Sequence, residues 1–201
     1  MTGDFFLSML SPVPVIAILR GFDHQTTLAL ATSCWAAGIR LVEVPVQGDE
    51  GFRALEVAAA EAAAKGELVG AGTVYTVADA QRAQSCGASF LVAPGLDEDT
   101  ARFAAERRVP YLPGVTTPTD VQNAKRLGIH TVKLFPAAAM GTAWLSALRG
   151  PFPEINFIAV GGVSPGNACD FLDRGAVGVG VGGALNDPAV VGELARLRSA
   201  P

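Results

Sequence analysis

The sequence is poor in charge, cysteine and histidine for its length. Of its 201 residues only 17% are charged, whereas 50% are hydrophobic, and the formal net charge is −4. Disordered chains combine low hydrophobicity with high net charge, so this composition excludes disorder. The small acidic excess offers no basic surface to a phosphate backbone, and we expect no nucleic-acid partner. The length fits one domain that spans residues 1–201.

The few cysteines and histidines are scattered. Cys34, Cys86 and Cys169 lie far apart and in no metal-ligand spacing. An odd, dispersed set excludes a disulfide framework and a zinc site, and it favours a reducing cytoplasm. His24 and His130 have no second histidine or carboxylate at ligand spacing, so we interpret both as structural. The sequence therefore predicts no metal centre.

Long apolar runs are missing as well. Glycine, proline or charge interrupts each apolar stretch well below the ~20 residues of a membrane span, so we expect no membrane partner. The amino terminus carries an acid and no basic segment before its apolar stretch, which is unlike a signal peptide. We expect instead a short amphipathic first helix that docks on the body of a soluble protein.

Short apolar, β-rich segments alternate with longer Ala-rich segments of helical period. We predict eight strands, at residues 14–19, 40–44, 68–72, 90–93, 111–113, 131–135, 156–160 and 176–181. Helices are predicted between them, among others at residues 25–37, 49–64, 77–85, 97–107, 118–127 and 165–174. Unbroken apolar strands are typical of a parallel sheet covered on both faces, and eight strand–helix units favour a compact (β/α)₈ barrel. An open doubly wound sheet is the alternative.

Capping residues support the predicted helix boundaries. Asp97 and Thr117 stand at N-cap positions, and Pro118 suits a first helical residue. Glycine follows the predicted helices at positions 38, 66, 87, 128 and 175, where a residue of left-handed conformation commonly ends a helix.

In a barrel of this type the active site lies at the carboxyl ends of the strands. The residues predicted there are Arg20, Glu43, Thr73, Pro94, Thr116, Thr117 and Lys133, with the pairs Gly161-Gly162 and Gly182-Gly183. Lys133 stands out because Lys65 and Lys125, the other two lysines, lie on polar helical segments. Desolvation in an apolar strand lowers the pKa of a lysine and provides the free amine that attacks carbonyls. A structural lysine that bridges carboxylates inside the barrel is the alternative.

Glu43 is the one acid in a buried second strand. A carboxylate there is either half of an ion pair or a general acid/base with a raised pKa. The predicted second and sixth strands lie across the barrel from each other, so a small ligand fits between Glu43 and Lys133. A plain ion pair between the two residues remains the alternative.

The two glycine pairs predict a phosphate site. Gly161-Gly162 follows the predicted seventh strand and opens a helix, and Gly182-Gly183 follows the eighth. Backbone without side chains lets several N–H groups point at one anion, and barrels often bind phosphate after strands seven and eight. These glycines do not form a dinucleotide fingerprint, because no ribose-binding acid follows at the required distance.

Five motifs together resemble one enzyme family. They are Val-Lys-Leu-Phe-Pro-Ala (132–137), Gly-Ala-Gly-Thr-Val (70–74), Val-Ala-Pro-Gly (92–95), Pro-Gly-Val-Thr-Thr-Pro-Thr-Asp (113–120) and Gly-Gly-Val-Ser-Pro-Gly-Asn (161–167). The chain resembles the class I aldolases of the 2-keto-3-deoxy-6-phosphogluconate and 4-hydroxy-2-oxoglutarate family. The resemblance implies a cofactor-free, homotrimeric (β/α)₈ barrel. It also implies cleavage of a phosphorylated 2-keto-3-deoxy sugar acid to pyruvate and glyceraldehyde 3-phosphate.

The resemblance also implies roles for individual residues. Lys133 is similar to the Schiff-base lysine of the family, and Glu43 to its general acid/base. Matches to substrate-binding positions are Thr73 for the pyruvate carboxylate, Pro94 and Phe135 for apolar walls, and Gly161, Gly162 and Gly182 for phosphate. Gly183 is predicted at the phosphate site as the second residue of its glycine pair. We expect Arg20 and Gln47 to orient carboxylate or hydroxyl groups of the substrate.

The sequence departs from the family pattern at three places. Gln47 replaces a carboxylate-binding arginine, Val160 stands where phosphogluconate enzymes often have threonine, and Gly183-Ala184 lacks a phosphate-contacting serine. The first two departures are similar to the 2-keto-3-deoxy-6-phosphogalactonate branch, whose second strand reads Glu-Ile-Pro-Leu-Asn. The third departure removes one expected phosphate contact.

Two other functions remain compatible with the glycine motifs. A non-aldolase barrel that binds sugar phosphates, such as an isomerase or phosphate-ester synthase, would use the glycines without a strand lysine that faces an acid. A non-catalytic sugar-phosphate-binding barrel would use them in the same way.

Overall fold

The computed structural model describes residues 3–11, 13–187 and 189–198. Within them the strands are β1 (Val15–Ile18), β2 (Leu41–Pro45), β3 (Val69–Gly72), β4 (Leu91–Val92), β5 (Tyr111–Leu112), β6 (Gly114–Val115), β7 (Thr131–Leu134), β8 (Asn156–Val160) and β9 (Gly178–Val181). All neighbouring strands pair in parallel, in the order β5-β4-β3-β2-β1-β9-β8-β7-β6. The result is an α/β fold whose strands form a nearly closed barrel.

The barrel closes at Pro113, which separates β5 from β6. β5 pairs with β4 on one side, whereas β6 pairs with β7 on the other. Proline lacks an N–H for the ladder, but its carbonyl accepts a hydrogen bond from Lys133 N at 2.9 Å. The single predicted fifth strand is therefore two short strands that together complete the ring. The predicted (β/α)₈ barrel is confirmed, and the alternative of an open doubly wound sheet is wrong.

Helices follow the strands on the outside of the barrel. They are α1 (Gly3–Met9), α2 (His24–Ala36), α3 (Gly48–Lys65), α4 (Val77–Ser85), α5 (Glu98–Arg107), α6 (Pro118–Arg126), α7 (Ala137–Met140), α8 (Thr142–Arg149), α9 (Pro165–Asp173) and α10 (Ala189–Leu194), with a 3₁₀ turn at Gly183–Asn186. Asp97 and Thr117 cap α5 and α6 as predicted, and their side chains accept hydrogen bonds from Thr100 N and Asp120 N. The predicted C-terminal glycines at positions 38, 66, 87, 128 and 175 all have positive φ.

Two shells of apolar side chains stabilise the barrel. The larger shell lies between strands and helices, and a smaller cluster fills the interior. Interior members come from alternate strand positions, among them Ile16, Ile18, Leu41, Leu112, Ile158 and Val160. This alternation follows from the strand period of two, which sends successive side chains to opposite faces of the sheet.

Helix α1 covers the amino-terminal end of the interior. Phe6 and Leu10 are buried in the interior cluster, and the Phe6 ring meets the Phe90 ring edge-on at 5.9 Å. Gly70 makes room for Phe90, because a Cβ at position 70 would lie 2.2 Å from that ring. The predicted docking of a short first helix is confirmed. Because one end of the barrel is filled, the opening towards solvent lies at the carboxyl ends of the strands.

Among the described residues, no helix combines the length and apolar character required to cross a bilayer.

Candidate active site

Lys133 lies in the interior of the barrel, on β7. Its neighbours in the sheet are Gly114 on β6 and Ile158 on β8, and its side chain is 3% exposed. Burial lowers the pKa of the amine, and the nearby positive charge of Arg20 lowers it further, whereas Glu43 raises it. Burial is the largest of these effects because the protonated form loses its hydration. The site therefore favours a neutral amine more than water does.

Glu43 occupies the interior on β2 and is 1% exposed. Burial raises the pKa of its carboxyl, and Lys133 and Arg20 oppose that rise. The carboxylate fits because residue 72 is glycine: a Cβ there would lie 1.8 Å from Glu43 Oε1. Glu43 Oε1 is buried and accepts no hydrogen bond from any described residue. A buried acceptor without a partner costs free energy, so a hydrogen-bond donor of a bound ligand would be stabilised at this carboxyl oxygen.

Glu43 and Lys133 face each other without direct contact. In the ring, β7 is the fourth strand from β2 in one direction and the fifth in the other, where β5 and β6 are the two halves of one interrupted strand. The structure contains no ion pair between them within 4.0 Å. The two strands lie on opposite sides of the ring, as the sequence predicts, whereas the catalytic pairing of the two residues stays a prediction. Each group shifts the pKa of the other through space: Glu43 raises that of Lys133, and Lys133 lowers that of Glu43.

A cavity of about 370 Å³ opens beside Lys133. Its lining includes Arg20, Lys133, Phe135, Gly161, Gly162, Gly182, Gly183, Val160 and Ser164. Lys133 Nζ lies 5.1 Å from the centroid of the Phe135 ring, which therefore forms an apolar wall beside the amine. The cavity brings together seven of the eleven residues predicted from the sequence as site residues.

The glycine pair after β8 is shaped by its surroundings. Gly161 and Gly162 have φ of +96° and +74°, a region that side chains disfavour. A Cβ at Gly161 would lie 2.9 Å from Phe135, and one at Gly162 would lie 2.7 Å from Ala138. Both positions therefore require glycine, which leaves backbone as the cavity wall.

Asn167 on α9 holds this glycine turn in place. Its Oδ1 accepts a hydrogen bond from Ser164 N at 2.9 Å, and its Nδ2 donates one to Gly162 O at 3.1 Å. Asn167 is the last residue of the motif at residues 161–167, and the sequence analysis predicted no role for it. Its position three residues after a helix-starting serine is the signal that predicts this contact.

Gln47 and Thr73 join the site through Arg20. Arg20 Nη1 donates a hydrogen bond to Gln47 Oε1, and Nη2 donates one to Thr73 Oγ1 at 3.1 Å. Thr73 has φ +61°, which is rare for a β-branched residue and marks a strained position. Gln47 lines a second cavity of about 390 Å³ on the outer side of Arg20, together with Asp23 and Glu50.

The remaining predicted residues have simpler surroundings. Pro94 lines a small separate cavity with Tyr75 and Leu96, next to the site rather than in the Lys133 cavity. His24 Nδ1 lies 3.0 Å from Glu50 Oε1, so it joins the starts of α2 and α3. Among residues 3–11, 13–187 and 189–198, no three His, Cys, Asp or Glu side chains cluster in a way that could hold a metal ion.

Gly72 is a residue that sequence reasoning missed. Gly72 lies in the Gly-Ala-Gly-Thr-Val motif (70–74), but the sequence does not show that the Glu43 carboxyl occupies the space that a Cβ at residue 72 would fill. The signal was the glycine itself, because glycine inside a strand marks a close approach by another group.

Sequence comparison agrees with this geometry. A parallel barrel with a buried lysine and an opposing carboxyl at its mouth defines the class of lysine-dependent barrel enzymes. The profile of the aldolase family described as KDPG and KHG aldolase (KDPG, 2-keto-3-deoxy-6-phosphogluconate; KHG, 4-hydroxy-2-oxoglutarate) matches residues 7–197. The chain belongs to this family and is an aldolase, a lyase. Because the chain belongs to an aldolase family, the two non-aldolase functions that the glycine motifs left open are excluded.

Individual relatives come from both branches that the sequence resembles. A Treponema pallidum protein named 2-dehydro-3-deoxy-phosphogluconate aldolase is 36% identical over 182 residues, 88% of this chain and 82% of that one. An Escherichia coli protein named 2-dehydro-3-deoxy-6-phosphogalactonate aldolase is 32% identical over 174 residues, 86% of this chain and 84% of that one.

A solved structure shares the whole barrel. KDPG aldolase from Legionella pneumophila, with pyruvate captured as a covalent carbinolamine intermediate, superimposes with a TM-score of 0.85. Its sequence is 27% identical, and the match covers 97% of this chain and 98% of that one.

The electrostatics of the site predict the titration of Lys133. In protein with ¹³C-labelled lysine, we expect one of three lysine signals to titrate below the ordinary value of about 10.4 and to vanish in Lys133→Met. Glu43→Gln should lower that midpoint further, because it removes the anion that favours the ammonium form. NMR-detected pH titration measures both effects.

Glu61→Gln is the matched control, because Glu61 pairs with Lys65 on the surface of α3. It should leave the Lys133 midpoint unchanged. A Lys133 signal at the ordinary lysine value, or a midpoint that rises in Glu43→Gln, would contradict this description of the site.

Proposed function

We propose that the chain cleaves 2-keto-3-deoxy-6-phospho sugar acids reversibly to pyruvate and glyceraldehyde 3-phosphate, with Lys133 as the Schiff-base residue. The observation that carries the proposal is a buried amine of lowered pKa in a cavity walled by glycine backbone, opposite a buried carboxyl. Family membership and the covalent pyruvate adduct of the Legionella enzyme support the same chemistry.

The first step forms an imine. Lys133 Nζ attacks C2 of the keto acid as a neutral amine, and the resulting carbinolamine takes up one proton from solvent on its hydroxyl and loses water to give a protonated imine. Burial supports this step because it lowers the pKa of the amine and so raises the fraction of nucleophile near neutral pH. The imine nitrogen carries the positive charge that later accepts electrons.

The second step breaks the C3–C4 bond. Its electron pair moves into the imine and gives a neutral enamine, while Glu43 takes the proton of the C4 hydroxyl and the aldehyde leaves. Glu43 then returns a proton to C3 of the enamine, and water hydrolyses the new imine to pyruvate and free Lys133. Glu43 acts once as a base and once as an acid, which suits a carboxyl whose pKa is raised by burial.

The other residues hold the two ends of the substrate. Arg20 and Thr73 bind the carboxylate of the keto acid, and Phe135 forms an apolar wall beside the carbon chain. The phosphate lies against backbone N–H groups of the glycine turns at Gly161, Gly162, Gly182 and Gly183. Two of these glycines have positive φ, so their amides point in directions that other residues rarely allow.

We also propose that the chain works in the cytoplasm as a homotrimer. The sequence resemblance supports the homotrimer, and the scattered free cysteines support a reducing compartment such as the cytoplasm.

Covalent trapping tests the imine. Pyruvate with borohydride should attach a reduced pyruvate to the peptide that contains Lys133, because borohydride reduces an imine to a stable amine. The same treatment should abolish aldol cleavage. Peptide mass mapping locates the label among the three lysines.

Lys125→Met is the matched control, because Lys125 pairs with Glu154 on the surface. It should keep full labelling, whereas Lys133→Met should lose it. Label at Lys65 or Lys125, or no label, would contradict the imine mechanism.

Val160 predicts the substrate preference. Its apolar side chain lines the Lys133 cavity where a threonine hydroxyl could favour one C4 configuration, so discrimination should be modest, within ~10–200-fold. We expect the phosphogalactonate substrate to be cleaved at least as efficiently as the phosphogluconate one. Val160→Thr should move the ratio of kcat/KM towards the phosphogluconate substrate, measured with both epimers.

Val191→Thr is a suitable control, because Val191 is buried on α10 and does not line the cavity. Activity on the phosphogluconate substrate alone, with a ratio that Val160→Thr leaves unchanged, would show that this position does not set the preference.

A further inference from the structure

The outer side of Arg20 has a contact that substrate binding does not explain. Arg20 lines both cavities: the one beside Lys133, and the second one that contains Gln47, Asp23 and Glu50. Of the two cavities, Gln47 lines only the second, and its Oε1 accepts a hydrogen bond from the Arg20 guanidinium. In this arrangement Gln47 does not face Lys133, which differs from the substrate-orienting role expected from the sequence.

The Gln47 side chain is committed to this contact. Gln47 is the N-cap residue of α3, with extended backbone, yet its side chain makes no hydrogen bond to the exposed amides of its own helix. Its Oε1 instead accepts a hydrogen bond from Arg20 Nη1. Glutamine is not among the residues preferred at this position, so the contact with Arg20, and not helix capping, accounts for the placement of this side chain.

Thr73 holds the guanidinium from another direction. Its Oγ1 accepts a hydrogen bond from Arg20 Nη2, and its left-handed backbone puts a buried hydroxyl at this point of the mouth. Two acceptors on different strand ends therefore fix the plane of the guanidinium. The remaining N–H donors of Arg20 stay available on the side of the Lys133 cavity.

The chemical type of the acceptor matters. A glutamine oxygen accepts a hydrogen bond without adding charge, so Arg20 keeps its full positive charge. An arginine at position 47 would place a second cation against the first, and a glutamate would neutralise it. The charged groups around Arg20 are Glu43 and Lys133 in the interior, with Asp23 and Glu50 along the second cavity.

We propose that Gln47 is a positioning residue: its neutral side-chain oxygen fixes the Arg20 guanidinium at the edge of the Lys133 cavity without adding a negative charge beside it. Arg20 thereby presents a fixed cation to the carboxylate of the keto acid. This inference rests on the proposed function, because it assigns Arg20 to the substrate carboxylate.

Gln47→Met tests the positioning role, because methionine has similar length and cannot accept this hydrogen bond. We expect the pyruvate concentration for half-maximal borohydride trapping at Lys133 to rise about 10-fold, the scale of one lost hydrogen bond to a charged group. The maximal trapping rate should change little, since Lys133 is untouched. Gln122→Met, on the exposed surface of α6, should behave as wild type.

Gln47→Glu separates position from charge. The carboxylate still accepts from Arg20 but cancels its charge, and Arg20 holds the pKa of both Glu43 and Lys133 down. The pH profile of trapping should therefore move to higher pH in Gln47→Glu. In Gln47→Met the cation remains, so the profile should keep its position.

A double-mutant cycle decides whether Gln47 acts through Arg20. In an Arg20→Met background, Gln47→Met should raise the pyruvate concentration for half-maximal trapping by less than about 2-fold, because the guanidinium that Gln47 positions is gone. An effect that persists in that background would show direct contact with substrate and overturn the proposal. The proposal would also be overturned if Gln47→Met reached half-maximal trapping at the same pyruvate concentration as the wild type. Failure of the wild-type protein to trap pyruvate would instead contradict the proposed function itself.

Discussion

The structure depends on the cost of burying two ionisable groups in one apolar barrel. Moving a charge out of water costs several kcal/mol per ion after relaxation, unless a partner compensates for the lost hydration. Here Lys133 and Glu43 are almost fully buried but do not form an ion pair. The protein therefore favours the neutral forms of both groups more than water does. The free amine is the form of Lys133 that attacks a carbonyl, and the protonated carboxyl is the form of Glu43 that returns a proton.

Several features of the fold keep this arrangement in place. The ring puts β2 and β7 on opposite sides, and no ion pair within 4.0 Å joins the Glu43 and Lys133 side chains. Gly72 leaves the volume that the Glu43 carboxyl occupies, and any larger residue would displace it. At the other end α1 closes the interior with Phe6, which leaves the carboxyl ends of the strands as the open side. The glycine turns then supply a wall of backbone without competing side chains.

Some of this could be predicted from the sequence, and the reasons are physical. The strand around Lys133 is apolar apart from the lysine and one threonine, so burial and a catalytic position follow from the pattern. Opposition to Glu43 follows from the number of strands. Contacts between remote segments could not be predicted, because local sequence does not encode them. The bond between Arg20 and Gln47, the space at Gly72 and the break of the fifth strand at Pro113 all depend on how distant elements pack.

The most direct test of the account removes the charge of Glu43 and keeps its shape. In Glu43→Gln, turnover should fall about 10²–10⁴-fold, the usual contribution of a general acid/base, while pyruvate trapping at Lys133 remains measurable. Thermal unfolding of the same preparation establishes that the barrel is intact. Turnover equal to wild type would contradict the account, and so would a folded variant in which trapping and turnover are lost in equal proportion.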